Sequence, residues 1–167
     1  MADFHLMTIL EIEQIRDGKV IWQAQNLKNV LHDLGEKYIL DAAFTDTTVV
    51  PTNFYFGLDN RTSVDASDTM ADLTDEPSTN GYARQSISSD GEFTVALNDS
   101  SIYEATSPII NFSASGGSWG PVNALFLTTS ATGSGILIAT VSLTSSLTAN
   151  SGDSFNMRLG LALSGGS

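Results

Sequence analysis

Cationic side chains are scarce in this chain, 7 against 19 acids, and Arg84, in Asn80-Gly81-Tyr82-Ala83-Arg84-Gln85, has the most defined local setting. Asn80-Gly81 supplies the positive φ angles of a tight turn. Tyr82 brings an aromatic body and a hydroxyl that needs a partner once buried. In a strand, Arg84 would share a face with Tyr82. A lone guanidinium can bind an anionic ligand or pair with a carboxylate of its own chain, and the second is the ordinary use.

The carboxylates are more numerous but loop-bound. Asp59, Asp65, Asp68, Asp72, Asp75 and Glu76 crowd the polar stretch 59–79, with Met70 and Leu73 as apolar pins. Calcium takes several oxygen ligands, yet this spacing lacks the glycine placement of a calcium loop. The acids are therefore expected to be a solvated loop, with no metal. Glycoside hydrolysis needs two carboxylates fixed across a cleft, and acids in one loop do not offer that. His5 and His32 are the only histidines, too few for a metal centre, and His32 is expected on the polar side of a helix. Gly116-Gly117-Ser118-Trp119-Gly120 lacks the lysine and helix of a phosphate loop, and no G-x-S-x-G elbow occurs. There is no cysteine, so thiolate metal sites and disulfides are excluded. Neither enzymatic activity nor a cofactor is expected.

Charge narrows the partners. Of 7 basic and 19 acidic residues in 167, residues 1–45 carry 4 and 7, net −3, and residues 46–167 carry 3 and 12, net −9. All three lysines (Lys19, Lys28, Lys37) lie in the first part. Phosphate binding rests on Lys and Arg, so neither nucleic acid nor an anionic membrane suits this chain. No run is apolar for long enough to span a bilayer as a helix. Met1-Ala-Asp-Phe-His has neither the basic start nor the apolar core of a secretion signal, so synthesis in the cytoplasm is expected.

The elements that must position these groups divide near residue 45, into an N-terminal region, 1–45, and a β domain, 46–167. Residues 7–25 predict a β-hairpin about Asp17-Gly18, a favoured two-residue turn. Simple pairing about it sets Ile15 opposite Val20 and Glu13 opposite Trp22. One face then carries Ile9, Ile15, Val20, Trp22 and Ala24, and the other Leu10, Ile12 and Ile21. A hairpin apolar on both faces needs cover on both sides, so Ile9, Leu10, Ile12, Ile15, Val20, Ile21 and Trp22 are candidate contacts to a partner or sister subunit, with Trp22 the anchor. The alternative is an ordinary strand pair in the core.

Leu27, Val30, Leu31, Leu34, Tyr38 and Ala42 follow helical spacing and predict a helix over 27–43, capped by Asn26 or Asn29. Gly35 in its middle costs about 1 kcal/mol against alanine, which suggests close packing there. From residue 44 the texture is Ser, Thr, Gly and Asn with short apolar runs. Strands are expected at 54–58, 82–87, 92–97, 109–113, 123–128, 135–143 and 155–163, parted by Asp90-Gly91, Gly116-Gly117, Thr132-Gly133 and Ser151-Gly152. The fold class predicted is mainly β, an antiparallel β-sandwich or jelly roll with an N-terminal hairpin and one amphipathic helix.

Phe56-Gly57-Leu58, Asp68-Thr-Met-Ala-Asp72 with Glu76, Asn80-Gly-Tyr-Ala-Arg-Gln85, Ser118-Trp119-Gly120 and Leu147-Thr-Ala-Asn-Ser-Gly-Asp153 carry a resemblance. Over roughly residues 52–163 the chain resembles a group of small structural proteins of tailed bacteriophages, labelled tail fibre, decoration or structural protein. Asn29-Val-Leu-His-Asp-Leu-Gly-Glu36 is similar to segments that precede this β domain. The resemblance implies a non-enzymatic virion protein, with Asn80, Gly81, Tyr82, Arg84, Trp119 and Gly120 as structural motif residues. It implies foremost a capsid decoration (cement) protein, homo-oligomeric with a trimer favoured, bound to the major capsid protein or other virion proteins. A tail or neck component is the alternative, and a carbohydrate-binding module the third reading.

Overall fold

The computed structural model describes residues 5–45 and 47–164, with side chains described for 10–45 and 47–162. In chain order the elements are β1 (His5–Arg16), β2 (Lys19–Leu31), α1 (Asp33–Phe44), β3 (Asn53–Asp59), β4 (Gln85–Ser88), β5 (Thr94–Leu97), β6 (Tyr103–Thr106), β7 (Ile110–Ser113), β8 (Trp119–Thr128), β9 (Leu137–Ala149) and β10 (Ser154–Ser164). The fold is mainly β with one helix, as the strand-and-turn texture predicts. β6 was not expected: Tyr103-Glu-Ala-Thr has only one large apolar residue.

One antiparallel sheet runs in the order β4-β3-β8-β9-β2-β1-β10-β6-β5, with β7 also pairing β10. It curls so that its inner face closes on itself, giving a sandwich-like core. Phe56 on β3 lies 6.4 Å from Phe112 on β7, and Trp119 on β8 lies 5.5 Å from Phe155 on β10. β2 forms the corner. Lys19 to Lys28 pair with β1, whereas Asn29, Val30 and Leu31 pair with Val141, Thr140 and Ala139 of β9. Asn26, within the part that pairs with β1, is at φ 55°, a conformation that asparagine tolerates better than most residues. The sheet thus runs without a break across the expected division at residue 45.

The hairpin forms about Asp17-Gly18, but its register differs from simple pairing. Ile15 stands opposite Val20, as expected, yet Trp22 faces Gln14 and Glu13 faces Gln23, because Ile21 is an extra residue in a β-bulge. One extra residue turns the strand over. Ile12, Gln14, Trp22 and Ala24 therefore share the inner face with Phe155 and Met157.

The helix is shorter than predicted. Leu27 to Leu31 belong to β2, and α1 begins after His32, the N-cap, which makes no side-chain capping bond. The spacing of Leu27 and Leu31, with Asn29 buried between them, serves an alternating strand as well as a helix. β9 offers the open edge that decides it. The buried face of α1 is Gly35 and Tyr38, with Tyr38 edge-on to Phe54 at 6.4 Å. Leu34, expected on that face, is exposed. His32, expected among polar groups, is fully buried.

Gly35 has the reason its position suggested. A Cβ there would collide with the backbone of Ile138, reaching its Cα at 2.7 Å. Alanine would favour the isolated helix by about 1 kcal/mol. Gly35→Ala is nevertheless expected to lower stability by about 1–3 kcal/mol through overpacking, measured as a lower urea midpoint at unchanged slope. A stabilised variant would contradict this close approach.

Candidate functional site

The densest polar constellation sits where loop 59–84 crosses the outer face of β3, β8 and β9. Phe126 projects from β8 onto Gly57, where any Cβ would collide with its ring. Met70, Leu73 and Leu137 pack with Phe126, so the two apolar pins do seat the acidic loop. Arg84 then lies over the Phe126 ring, its Cζ 5.1 Å from the centroid. Its Nε and Nη2 donate to the two oxygens of Glu76 at 2.8 and 2.7 Å, and its Nη1 donates to the Ser130 carbonyl at 2.9 Å. A bidentate pair of this kind uses the planar fork of arginine fully.

Tyr82 joins the same carboxylate to the core. Its hydroxyl donates to Glu76 at 2.8 Å and accepts the Leu58 N–H at 2.9 Å. Its ring stacks on Phe112 at 5.9 Å and meets Trp119 edge-on at 5.9 Å. Burial, aided by the Glu76 charge, raises the phenol pKa far above its ordinary range, so Tyr82 stays protonated. Residues 82–84 are not in a strand, contrary to expectation, because β4 begins only at Gln85. Asn80 and Gly81 form the predicted turn, with φ 57° and 82°. Asn80 Nδ2 donates to the Ser118 carbonyl at 2.6 Å, which joins this motif to Trp119-Gly120. Gly120 is at φ 127° and packs against Leu147 and Thr148, with no room for a Cβ.

A second constellation was not foreseen. Asp153, 2 % exposed, accepts Arg16 Nε at 2.8 Å and Nη2 at 2.7 Å, the Asn150 N–H at 2.9 Å and Gln14 Nε2 at 3.2 Å. Gln14 also donates to the Thr148 carbonyl at 2.8 Å. This network ties the hairpin to the β9–β10 turn. Its one sequence signal is a glutamine between Ile12 and Ile15, where an inward polar group must find partners.

Elsewhere the reactive groups are also engaged. His32 Nε2 lies 2.7 Å from Thr140 Oγ1, and desolvation lowers its pKa, so the ring is neutral at pH 7. Asp59 is fully buried, and desolvation raises its pKa against the pull of the Arg61 and Asp75 N–H groups. Arg61 pairs with Asp68 at 3.1 Å. Asp68 and Asp72 cap turns by accepting the Asp65 and Thr69 N–H groups. Among the described residues no group of three His, Asp or Glu side chains is placed to hold a metal, and no helix is long and apolar enough to cross a membrane. Two shallow clefts of about 350 and 410 Å³ flank Glu76, one beside Trp119 and one beside Arg84.

The nominated contact residues are divided by the bulge. Ile12 is 1 % exposed within the core, and Trp22 is half-buried against it. Leu10 and Ile15 are half-buried, Val20 and Ile21 are exposed, and the side chain of Ile9 lies outside the described residues. Phe44, Val49, Val95, Leu97 and Tyr103, which sequence patterning did not single out, are exposed.

Residues 31–162 match the family model described as podophage GP4 fiber I protein gp80. The matched range runs from the end of β2 into β10. No curated protein matches the chain.

Arg84→Ala is expected to destabilise by about 1–3 kcal/mol, because it leaves the partly exposed Glu76 without its cation beside the half-buried Tyr82. Arg84→Lys should recover less than half of that, since an ammonium cannot make the fork. Denaturant unfolding of both variants checks this.

The Asp153 carboxyl, held down to about 2 by the Arg16 hydrogen bond foremost, against an ordinary 3.8, sets an acid limb. A depressed carboxylate stabilises the fold above its unfolded pKa and loses that contribution as pH falls through the folded one. Stability should therefore fall between about pH 4 and pH 2. Asp153→Asn should be less stable at pH 7 and flatter across that window in thermal melts.

Proposed function

This chain belongs to the podophage GP4 fiber I protein gp80 family, and from that premise we propose that it is a non-enzymatic component of a phage tail fibre, acting by packing against further copies and other virion proteins. It is a phage structural protein. The observation that carries the finer reading is the extent of the match, which takes in α1 and β3 to β9 whole. Capsid decoration, with the major capsid protein as partner, is the narrower expectation drawn from resemblance. No feature of the fold favours a head lattice over a fibre.

The absence of catalysis is supported by how the reactive groups are used. Arg84, Glu76 and Tyr82 satisfy one another, Asp153 is held by Arg16, and His32 is neutral and buried. General acid–base chemistry needs a group free to reach a substrate proton, and these are taken up by one another. A carbohydrate-binding module usually offers an open aromatic platform, whereas Trp119 is buried and Trp22 half-buried. Assembly with sister copies is supported by the exposed Val20 and Ile21 at the hairpin tip, and the trimer is the form that the resemblance implies. Solitary exposed apolar residues are ordinary, whereas grouped ones mark contacts.

Gold-labelled antibody against this chain on purified particles tests the reading. Label at the tail is expected. Label spread over the head would overturn the fibre role in favour of decoration, and unlabelled particles would sink both.

A further inference from the structure

Two exposed apolar surfaces lie at opposite ends of β1 and β10, and they differ in charge. The first is the hairpin tip, where Val20 and Ile21 are each 48 % exposed. Val20 and Ile21 follow Lys19 in a turn that also carries the exposed Asp17, and Lys19 has no ion-pair partner among the described residues.

The second is the far edge of the sheet. β5 ends the strand order, and its Val95 and Leu97 stand opposite Ala105 and Tyr103 of β6. Ala105 in turn stands opposite Leu161 of β10. Directly opposed residues share a face, and Leu161 alternates with the buried Leu159, Met157 and Phe155. Val95, Leu97 and Tyr103 therefore extend the core-facing side of the sheet past the strands that cover it, and they are 67, 57 and 70 % exposed. β5 has no charge, proline or bulge, the usual guards of an open edge. Asp90, Glu92 and Asp99 flank it, and no Lys, Arg or His occurs between Arg84 and Arg158.

The tip cannot cover this face in its own molecule. Ser154 pairs Ile15 near the tip and Leu161 pairs Ala105 at the patch, a separation of roughly 20–25 Å at strand rise. Nor does the patch suit its own copy face to face, because that sets the flanking acids of two acidic chains against each other. The tip, where Arg16 and Lys19 outnumber Asp17, brings aliphatic groups to a face with aliphatic groups and acids. We infer that the hairpin tip of one copy docks on the β5–β6 face of the next, head to tail. A contact between two different surfaces closes into a ring if the rotation permits, a three-membered ring included, and otherwise grows into a filament. The inference rests on the proposed self-assembly and names the two surfaces that would make it.

Mixing experiments test this apart from virion location. In sedimentation velocity at high micromolar concentration, the wild-type chain should assemble beyond a dimer. Ile21→Asp, with a spoiled tip, and Leu97→Asp, with a spoiled face, should each be folded by circular dichroism and monomeric, with affinity weakened at least roughly tenfold. Mixed one to one, they should form a heterodimer and stop there, because one intact tip meets one intact face. Val20→Asp with Val95→Asp should repeat the pattern as an independent pair. A monomeric wild type overturns the inference. So does assembly by either single variant alone, which would mean that like surfaces pair, and so does a mixture that stays monomeric. Particle labelling is indifferent to these results, so failure here leaves the fibre reading standing.

Discussion

A single ten-stranded sheet buries its inner face only by folding back on itself, and every other feature of this molecule follows from how that closure is held. Aromatic contacts hold it. Phe56, Phe112, Tyr82, Trp119 and Phe155 form a chain of rings at 5.5–6.4 Å that crosses from one half of the curl to the other. Ring pairs in tilted, offset or edge-on geometry gain about 0.5–1.5 kcal/mol beyond the area they bury. Tyr82 matters most among them, because it comes from a loop rather than a strand. Its hydroxyl reaches Glu76, and through Glu76 it reaches Arg84 and the outer face. The inner core and the outer acidic loop are thereby fastened by one carboxylate.

The scarcity of cations gives the electrostatics a simple form. Arg16, Arg61 and Arg84 are each spent on a carboxylate that sits at a structural junction: the β9–β10 turn, the acidic loop, and the meeting of that loop with the outer face. Arg158, half-exposed beside Glu11, makes the weaker kind of pair. The remaining acids leave the surface strongly negative. Such a surface repels its like, so any contact between copies would have to bring one of the few lysines or find apolar ground that the acids only rim.

A phage structural protein has to be a rigid unit with defined contacts, and the chain meets the first need by long-range pairing. β1 lies between β2 and β10, joining the two ends of the sequence in one ladder. The hairpin is thus a central part of the sheet as well as a projecting tip. That dual role separates its residues: Ile12 and Gln14 serve the interior, while Val20 and Ile21 are left outside.

Much of this was legible in the residues themselves. Glycine-centred turns and short apolar runs marked most strands. Asp17-Gly18 marked the hairpin, Asn80-Gly81 the turn before Tyr82, and Gly35 a close approach. These are local signals, because φ preference and alternation act within a few residues. What the tertiary structure alone decided involved partners distant in sequence. Leu27 to Leu31 fit helix or strand equally, and the open edge of β9 settled the choice. One bulged residue, Ile21, reversed the facing of Trp22. His32 went inside because Thr140, more than a hundred positions away, stands ready to receive its ring nitrogen. Gln14 and Asp153 look unremarkable apart and become a buried pair only when the chain's ends meet. Composition determined that the molecule is acidic, thiol-free and built of strands. Only the closure of the curl decided which apolar groups it hides and which it leaves exposed, since burial depends on what covers a face and not on the residues that make it.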